Sequence, residues 1–187
     1  VVVCLTAMMN LEGGERQGET AAHVVEFELG NEVCAIDIDA VDSIVESKQV
    51  TRVPRAPDAV EGVMDLRGET TAIVDPREFL AIEGDLASDN ILVLDRADDK
   101  QKIGLRVAEV TEVSDYSEAQ VDTGDDVSRI GTAAVERDLV KGVIRKLAEE
   151  LGEDDDIEDA EVDLVLWLDI DRLIDAVADT ENGDNQR

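Results

Sequence analysis

The sequence predicts a mainly β protein built from two related small barrels, with short helices. Three observations carry this. Runs of Val, Ile and Leu alternate with acidic residues at the period of half-buried strands. Aromatics make up only 2% of the 187 residues while hydrophobic residues make up 43%, so the core is built from short aliphatic side chains that suit strands. The second half also replays the first. Ile38, Val41 and Ile44 recur at a constant offset as Val107, Val110 and Val113, each set preceded by a hairpin. Val60-Glu61-Gly62-Val63 is echoed by Val140-Lys141-Gly142-Val143, and the segment from Asp75 to Leu80 by that from Asp169 to Ile174. Closing each unit into a barrel removes its exposed edges.

Element by element, residues 1–22 are glycine-bearing and aperiodic, and are expected to be a disordered lead-in. The opening apolar residues have no basic residue before them and make a poor secretory signal; Met8 or Met9 is the expected physiological start. From His23, the residues Val25, Phe27 and Leu29 alternate with glutamates, Gly30-Asn31 turns the chain, and Cys34, Ile36 and Ile38 resume the alternation, as in a hairpin. Val41, Ile44 and Val45 then fall at helical spacing and predict a short amphipathic helix. Thr51–Pro57, with two prolines, reads as an extended edge followed by a turn. Val60–Leu66 and Thr70–Val74 read as strands joined around Arg67-Gly68. Asp75-Pro76 is a helix start, with Asp as cap and Pro in the first turn, and Phe79 and Leu80 form its buried face.

In the second half, Ile91–Leu94, Ile103–Val107, Val140–Leu147 and Val162–Leu168 are the expected strands. The acidic run 148–161 separates the last two as a solvated loop; it lacks the aspartate spacing and distal glutamate of a calcium loop. The folded domain is expected over 23–178, with a first barrel near 38–88, a second near 89–165, and terminal elements crossing between them. Residues 179–187 are expected to be a disordered tail.

Composition narrows the function. There are 47 acidic and 17 basic residues, a formal net charge of -30, and the acids are spread along the whole chain. Such self-repulsion is tolerable when salt screens it, and Arg outnumbers Lys, so the sequence reads as that of a salt-adapted cytoplasmic protein. No basic stripe exists to neutralise phosphates, which excludes nucleic acid as a partner. No run is long enough to span a bilayer. Cys4 and Cys34 are too few for a disulfide framework, and Cys34 reads as a small buried hydrophobe.

Catalytic patterns are missing. With His23 the single histidine, no multi-histidine metal site can form, and a histidine-based triad would have to use that one residue. No phosphate-cradling glycine loop occurs. Neither a cofactor nor a metal is expected.

The motif Val50-Thr51-Arg52-Val53-Pro54-Arg55-Ala56-Pro57, followed by Val60 to Gly68 and Ala72-Ile73-Val74-Asp75, closely resembles the hallmark of CheW-like domains, a TRVPNAP…IKGVINLRG…VPVIDL pattern. The upstream stretch from Phe27 to Val45 and the downstream segments Ile103–Tyr116 and Leu139–Leu147 are similar to the rest of that family. The resemblance runs from about His23 to Ala178. It implies two SH3-like five-stranded barrels with a groove between them. It further implies a non-catalytic cytoplasmic adaptor that bridges methyl-accepting chemoreceptors and the regulatory domain of the histidine kinase CheA in arrays near the membrane. The same fold also occurs in kinase regulatory domains and in couplers fused to receivers. A distant alternative is an acidic hydrolase or metal-binding protein. On the adaptor reading, Val41, Ile44, Val45, Val63, Leu66, Arg67 and Gly68 are the expected contacts with receptor or kinase. Relatives often place a Glu opposite the motif arginine; Ser43 stands there, so Asp42 or Glu46 is the expected substitute partner for Arg67. Asp65 stands where the hallmark has Asn before Leu-Arg-Gly. The Pro and Arg often found in relatives around Val121–Val127 are absent.

Overall fold

The computed structural model describes residues 3–4, 20–80, 82–84, 89–96, 102–123, 137–147 and 162–183. In chain order the strands are β1 (Val3–Cys4), β2 (Thr20–Leu29), β3 (Glu32–Asp37), β4 (Val41–Glu46), β5 (Val60–Leu66), β6 (Glu69–Val74), β7 (Asn90–Leu94), β8 (Lys102–Val107), β9 (Val110–Ser117), β10 (Val121–Thr123), β11 (Val140–Leu147) and β12 (Val162–Leu168). The helices are α1 (Arg77–Leu80) and α2 (Ile170–Gly183).

The strands form two six-stranded mixed sheets, ordered β1-β4-β7-β8-β6-β5 and β10-β11-β12-β3-β2-β9. Remove the short edge strands β1 and β10, and the two orders superimpose: β4, β7, β8, β6, β5 against β9, β2, β3, β12, β11. The duplication legible in the sequence is therefore a duplication of topology. Its halves are interlocked, because hairpin β2–β3 lies in the second sheet and hairpin β7–β8 in the first. This corrects the expected division near residue 89: residues 90–107 complete the first sheet, and residues 20–37 complete the second. The exchange follows from two parallel contacts, β8 on β6 and β12 on β3, each tying one half to the other.

Three apolar clusters fill the molecule. A shared core takes Val25, Phe27, Leu29, Leu92, Leu94, Leu105, Leu166, Leu168 and their neighbours from both sheets, with Leu80 and Leu173 of the helices. Val45, Met64, Ile73, Ile91 and Val93 form a smaller cluster on the first sheet. Ala22, Val24, Ala35, Tyr116, Ile144 and Val165 form its counterpart on the second. Consecutive strand residues face opposite sides, so β7 sends Ile91 and Val93 to one cluster and Leu92 and Leu94 to the other.

The expected amphipathic helix over Val41, Ile44 and Val45 is strand β4, preceded by a 3-10 turn at Ile38–Ala40. The reason is a bulge. The register steps from Val41↔Leu94 to Ser43↔Val93, so one extra residue enters β4. Val41 and Ile44 then share a face at a spacing of three, which imitates helical periodicity. Val110 and Val113 repeat the trick in β9, where the register also slips.

Other boundaries move less. β2 begins at Thr20, ahead of the expected start at His23, and His23 is an exposed residue 3.7 Å from Asp115. α2 runs to Gly183, into the expected tail. The acidic run 148–161 lies outside the described residues. The helix start at Asp75 is as expected: its carboxylate accepts from the Arg77 amide at 3.0 Å and from the Arg77 guanidinium at 2.6 Å. Asp169 does the same for α2, accepting from the Arg172 amide at 3.1 Å.

Candidate functional site

The hairpin β5–β6 closes with a two-residue turn, since Leu66 pairs Glu69 across it. Arg67 and Gly68 both have left-handed backbone, at φ 55° and 88°. That is the type I′ geometry that follows the twist of the flanking strands. Asp65 accepts from the Gly68 amide at 3.1 Å and tightens the turn. The turn thus presents Arg67 outward next to Leu66.

A groove of about 490 Å³ opens beside it. Its apolar floor is Val45, Leu66 and Val93, and its rim carries Asp42, Glu46, Lys48, Arg67, Glu69 and Lys102. Three cations and three carboxylates balance there, in a chain whose net charge is -30. Lys102 sits between Asp42 at 3.5 Å and Glu69 at 3.4 Å, and the nearby Asp42 charge, more than its bonds to Glu69, pushes its pKa up.

Of the expected contact residues, this groove brings together Val45, Leu66 and Arg67. Gly68 lies exposed in the adjoining turn. Val41 does not belong to the surface: it is 7% exposed and part of the shared core, with Ile44 packed on the same core. Val63 is half-buried, its backbone bonded both ways to Thr51 at 2.8 Å. Asp42, an expected partner of Arg67, serves Lys102 instead. Among the described residues Arg67 forms no ion pair. Lys48, Val93 and Lys102 were not singled out from sequence, because the pairing that brings β7 beside β4 is visible only in the fold.

The repeat also shows why the groove opens on one sheet. Val45, Leu66 and Val93 correspond, by register and echo, to Ser114, Lys146 and Glu26 on the second sheet. There the space is plugged with polar groups. Glu26 is 1% exposed, accepts from the Tyr116 hydroxyl at 2.6 Å and pairs with Lys146 at 3.2 Å, and Lys146 also pairs with Glu112. The first sheet thus has aliphatic residues where the second has a buried carboxylate and its lysine partner.

A second concavity, of about 840 Å³, lies along Val50–Asp58 and shares no lining residue with the first. Arg106 crosses it, bonded to Glu61 at 2.7 Å and Asp89 at 2.6 Å. Among the described residues, no group of three or more His, Cys, Asp or Glu is arranged to hold a metal. No helix among them is long and apolar enough to cross a membrane.

The two-sheet fold agrees with comparison to known proteins. The family model of the CheW-like domain matches residues 23–178. The chain belongs to the CheW-like domain family. Among curated relatives, chemotaxis protein CheW of Thermotoga maritima is 25% identical over 154 residues, 82% of this chain and 88% of that one. Chemotaxis protein CheW of Klebsiella aerogenes is 35% identical over 95 residues, 51% of this chain and 57% of that one. The crystal structure of the scaffolding protein TtCheW from Thermoanaerobacter tengcongensis matches with a TM-score of 0.64 at 22% identity, covering 87% of this chain and 93% of that one. The likeness in fold identifies the two sheets as SH3-like barrels, as expected from the sequence. Membership of this family makes the chain a chemotaxis adaptor of the scaffold class rather than an enzyme.

Proposed function

We propose that the chain couples chemoreceptor tips to the regulatory domain of a CheA-type histidine kinase, and that the groove beside Arg67 receives the receptor. The observation that carries this reading is the groove on one barrel, where half-buried Leu66 and exposed Arg67 lie over the buried Val45 and Val93, while the twin position holds the Glu26–Lys146 pair. A receptor tip is a helical hairpin, and helices dock into grooves through aliphatic anchors. The balanced rim matters because a chain at -30 repels most acidic surfaces, and this patch does not. Arg67, exposed and unpaired among the described residues, is placed to make a bidentate contact with a partner carboxylate or to cap a helix C-terminus. The protein acts in the cytoplasm, at receptor arrays.

The test uses Leu66→Ser and Arg67→Ala in the whole chain, with circular dichroism as the folding control. Each is expected to weaken binding of a purified receptor-tip fragment in molar salt at least about tenfold, as truncation at a docking centre does. Val41→Asp is unsuitable, since Val41 is core. Folded variants that bind the tip as wild type does place the receptor elsewhere.

A further inference from the structure

Residues Val1 to Met9 carry no charge, in a chain that is 34% charged, and Glu12 is the first acidic residue. The segment opens on three consecutive valines and holds neither Gly nor Pro. Uncharged segments rich in β-branched residues pair with a strand edge wherever one is open.

The first barrel supplies that edge. β4 has β7 on one side. On the other side β1 pairs with it, antiparallel, with Val3 opposite Ile44 and Cys4 opposite Ser43. These two partners are the uncharged centre of the strand, between Asp42 and Glu46. The repeat provides an internal comparison. β9 holds the place of β4 in the second sheet, and there it ends the sheet, with no strand outside it among the described residues. The same position is thus covered in one barrel and open in the other. The cover is short: β4 is six residues long and β1 pairs with two of them. A ladder of that length rests on few hydrogen bonds, so the strand can be exchanged for another. It also borders the groove, since Asp42, Ser43, Val45 and Glu46 of β4 line it.

We propose that the outer edge of β4 is a strand-addition site and that the first residues of this same chain are its occupant, an exchangeable strap along one side of the groove. Strand addition takes its affinity from main-chain hydrogen bonds, which suits an acidic chain that has few cations to offer a partner. Residues 5–19 join β1 to β2. Extended, a link of that length reaches about 50 Å, beyond the width of a small domain at about 30 Å, so the pairing closes within one molecule. The site stands whether or not the groove receives a receptor.

The experiment compares the whole chain with one lacking residues 1–7, both in molar potassium chloride with a reductant, with circular dichroism as the folding control. Amide hydrogen exchange, read by mass spectrometry, follows Val41–Glu46. Removing the strap is expected to speed exchange there about tenfold, as loss of an edge ladder does, and to leave β9 as it was. The probe is a fluorescein-labelled peptide of residues 1–12, followed by anisotropy. It is expected to bind the shortened chain and to slow exchange in β4 again. The whole chain should bind it at least about tenfold more weakly, because the tethered strand competes at an effective concentration near millimolar. The peptide carrying Val3→Pro and Cys4→Pro lacks the amide donors of a ladder and should not bind. Equal exchange of β4 in the two chains overturns the proposal. So does a peptide that binds neither chain, or both alike, or equally well with the prolines. Slow exchange that appears only as the whole chain is concentrated, with a dimer in light scattering, gives the strand to a second copy and overturns the intramolecular strap.

Discussion

Glu26 is the most deeply buried charged side chain among the described residues. A carboxylate at 1% exposure survives only with good partners, and it has two: the Tyr116 hydroxyl and the Lys146 ammonium. Removing one partner strands the other. Tyr116→Phe is expected to cost about 1–3 kcal/mol, and Lys146→Met about 3–5 kcal/mol, in urea unfolding followed by circular dichroism. Equal stability of Lys146→Met and wild type would mean that the Tyr116 hydroxyl alone is enough to hold Glu26 in place. The same region sets an alkaline limit. Burial, then the Glu32 charge, pushes the Cys34 thiol above its ordinary 9.0. Burial and the bond to Glu26 push Tyr116 above its ordinary 10.0. For Lys146 burial pulls downward, but bonds to Glu112 and Glu26 outweigh it, so it too stays above its ordinary 10.5. In each case the unfolded chain releases its proton first, so the folded state holds more protons and stability falls as pH rises. The urea midpoint should be level below pH 9.0 as far as these three groups are concerned, and should fall beyond it, with Cys34→Ala abolishing the earliest part of the fall. A wild-type midpoint that stays level to pH 10.5 contradicts this.

At the scale of elements, the bulges decide both what was legible and what would break. Hairpins, the turn at Arg67-Gly68 and the capped start of α1 could be read because their signals are local: alternation, a Gly between two strand runs, and an Asp ahead of a short helix. The helix expected at Val41–Val45 failed because an inserted residue in β4 turned alternation into a spacing of three. A bulge depends on the partner strand, and the partner β7 lies far along the chain. The exchange of hairpins between barrels was hidden for the same reason. Two of the seven expected contacts are affected: on a helix, Val41 and Ile44 would share a face open to a partner, whereas in β4 Val41 is buried in the shared core and Ile44 packs on it. A matched pair of bulges gives the sharpest prediction. The register slips at Val60/Gly62 in β5 and at Val140/Gly142 in β11. Both glycines face a neighbouring carbonyl, with a hypothetical Cβ 2.3 Å from Thr51 at Gly62 and 2.8 Å from Asp122 at Gly142. Gly62→Ala and Gly142→Ala should each cost about 1–3 kcal/mol through overpacking. Only the first should also loosen the Arg52–Arg55 turn, read as faster proteolysis between Thr51 and Pro57. If Gly142→Ala opens that turn equally, the two barrels do not respond locally.

At the scale of the whole molecule, the charge has to be reconciled with the fold. The described cations are largely spent in ion pairs, several of them across strands, such as Arg106 to Glu61 and Arg145 to Asp122 at 2.9 Å. Exposed pairs contribute little each, about 0–1 kcal/mol. The excess of 30 negative charges is left to repel over the surface. In dilute buffer that repulsion reaches across the molecule, since the Debye length is about 30 Å at 0.01 M; at 1 M it is about 3 Å, shorter than most separations between surface carboxylates. The fold is therefore expected to need salt. Circular dichroism on dialysis from molar to millimolar potassium chloride should show loss of the β signal, and the melting temperature should rise with salt. Salts can also stabilise by exclusion from the protein surface, which strengthens apolar burial without screening anything. Sucrose separates the two effects, because it is excluded but carries no charge. Screening predicts that sucrose in millimolar salt fails to restore the fold that potassium chloride restores. Full recovery in sucrose alone would trace the salt requirement to weak burial in an aliphatic core, and an unchanged melting temperature in millimolar salt would remove the requirement altogether.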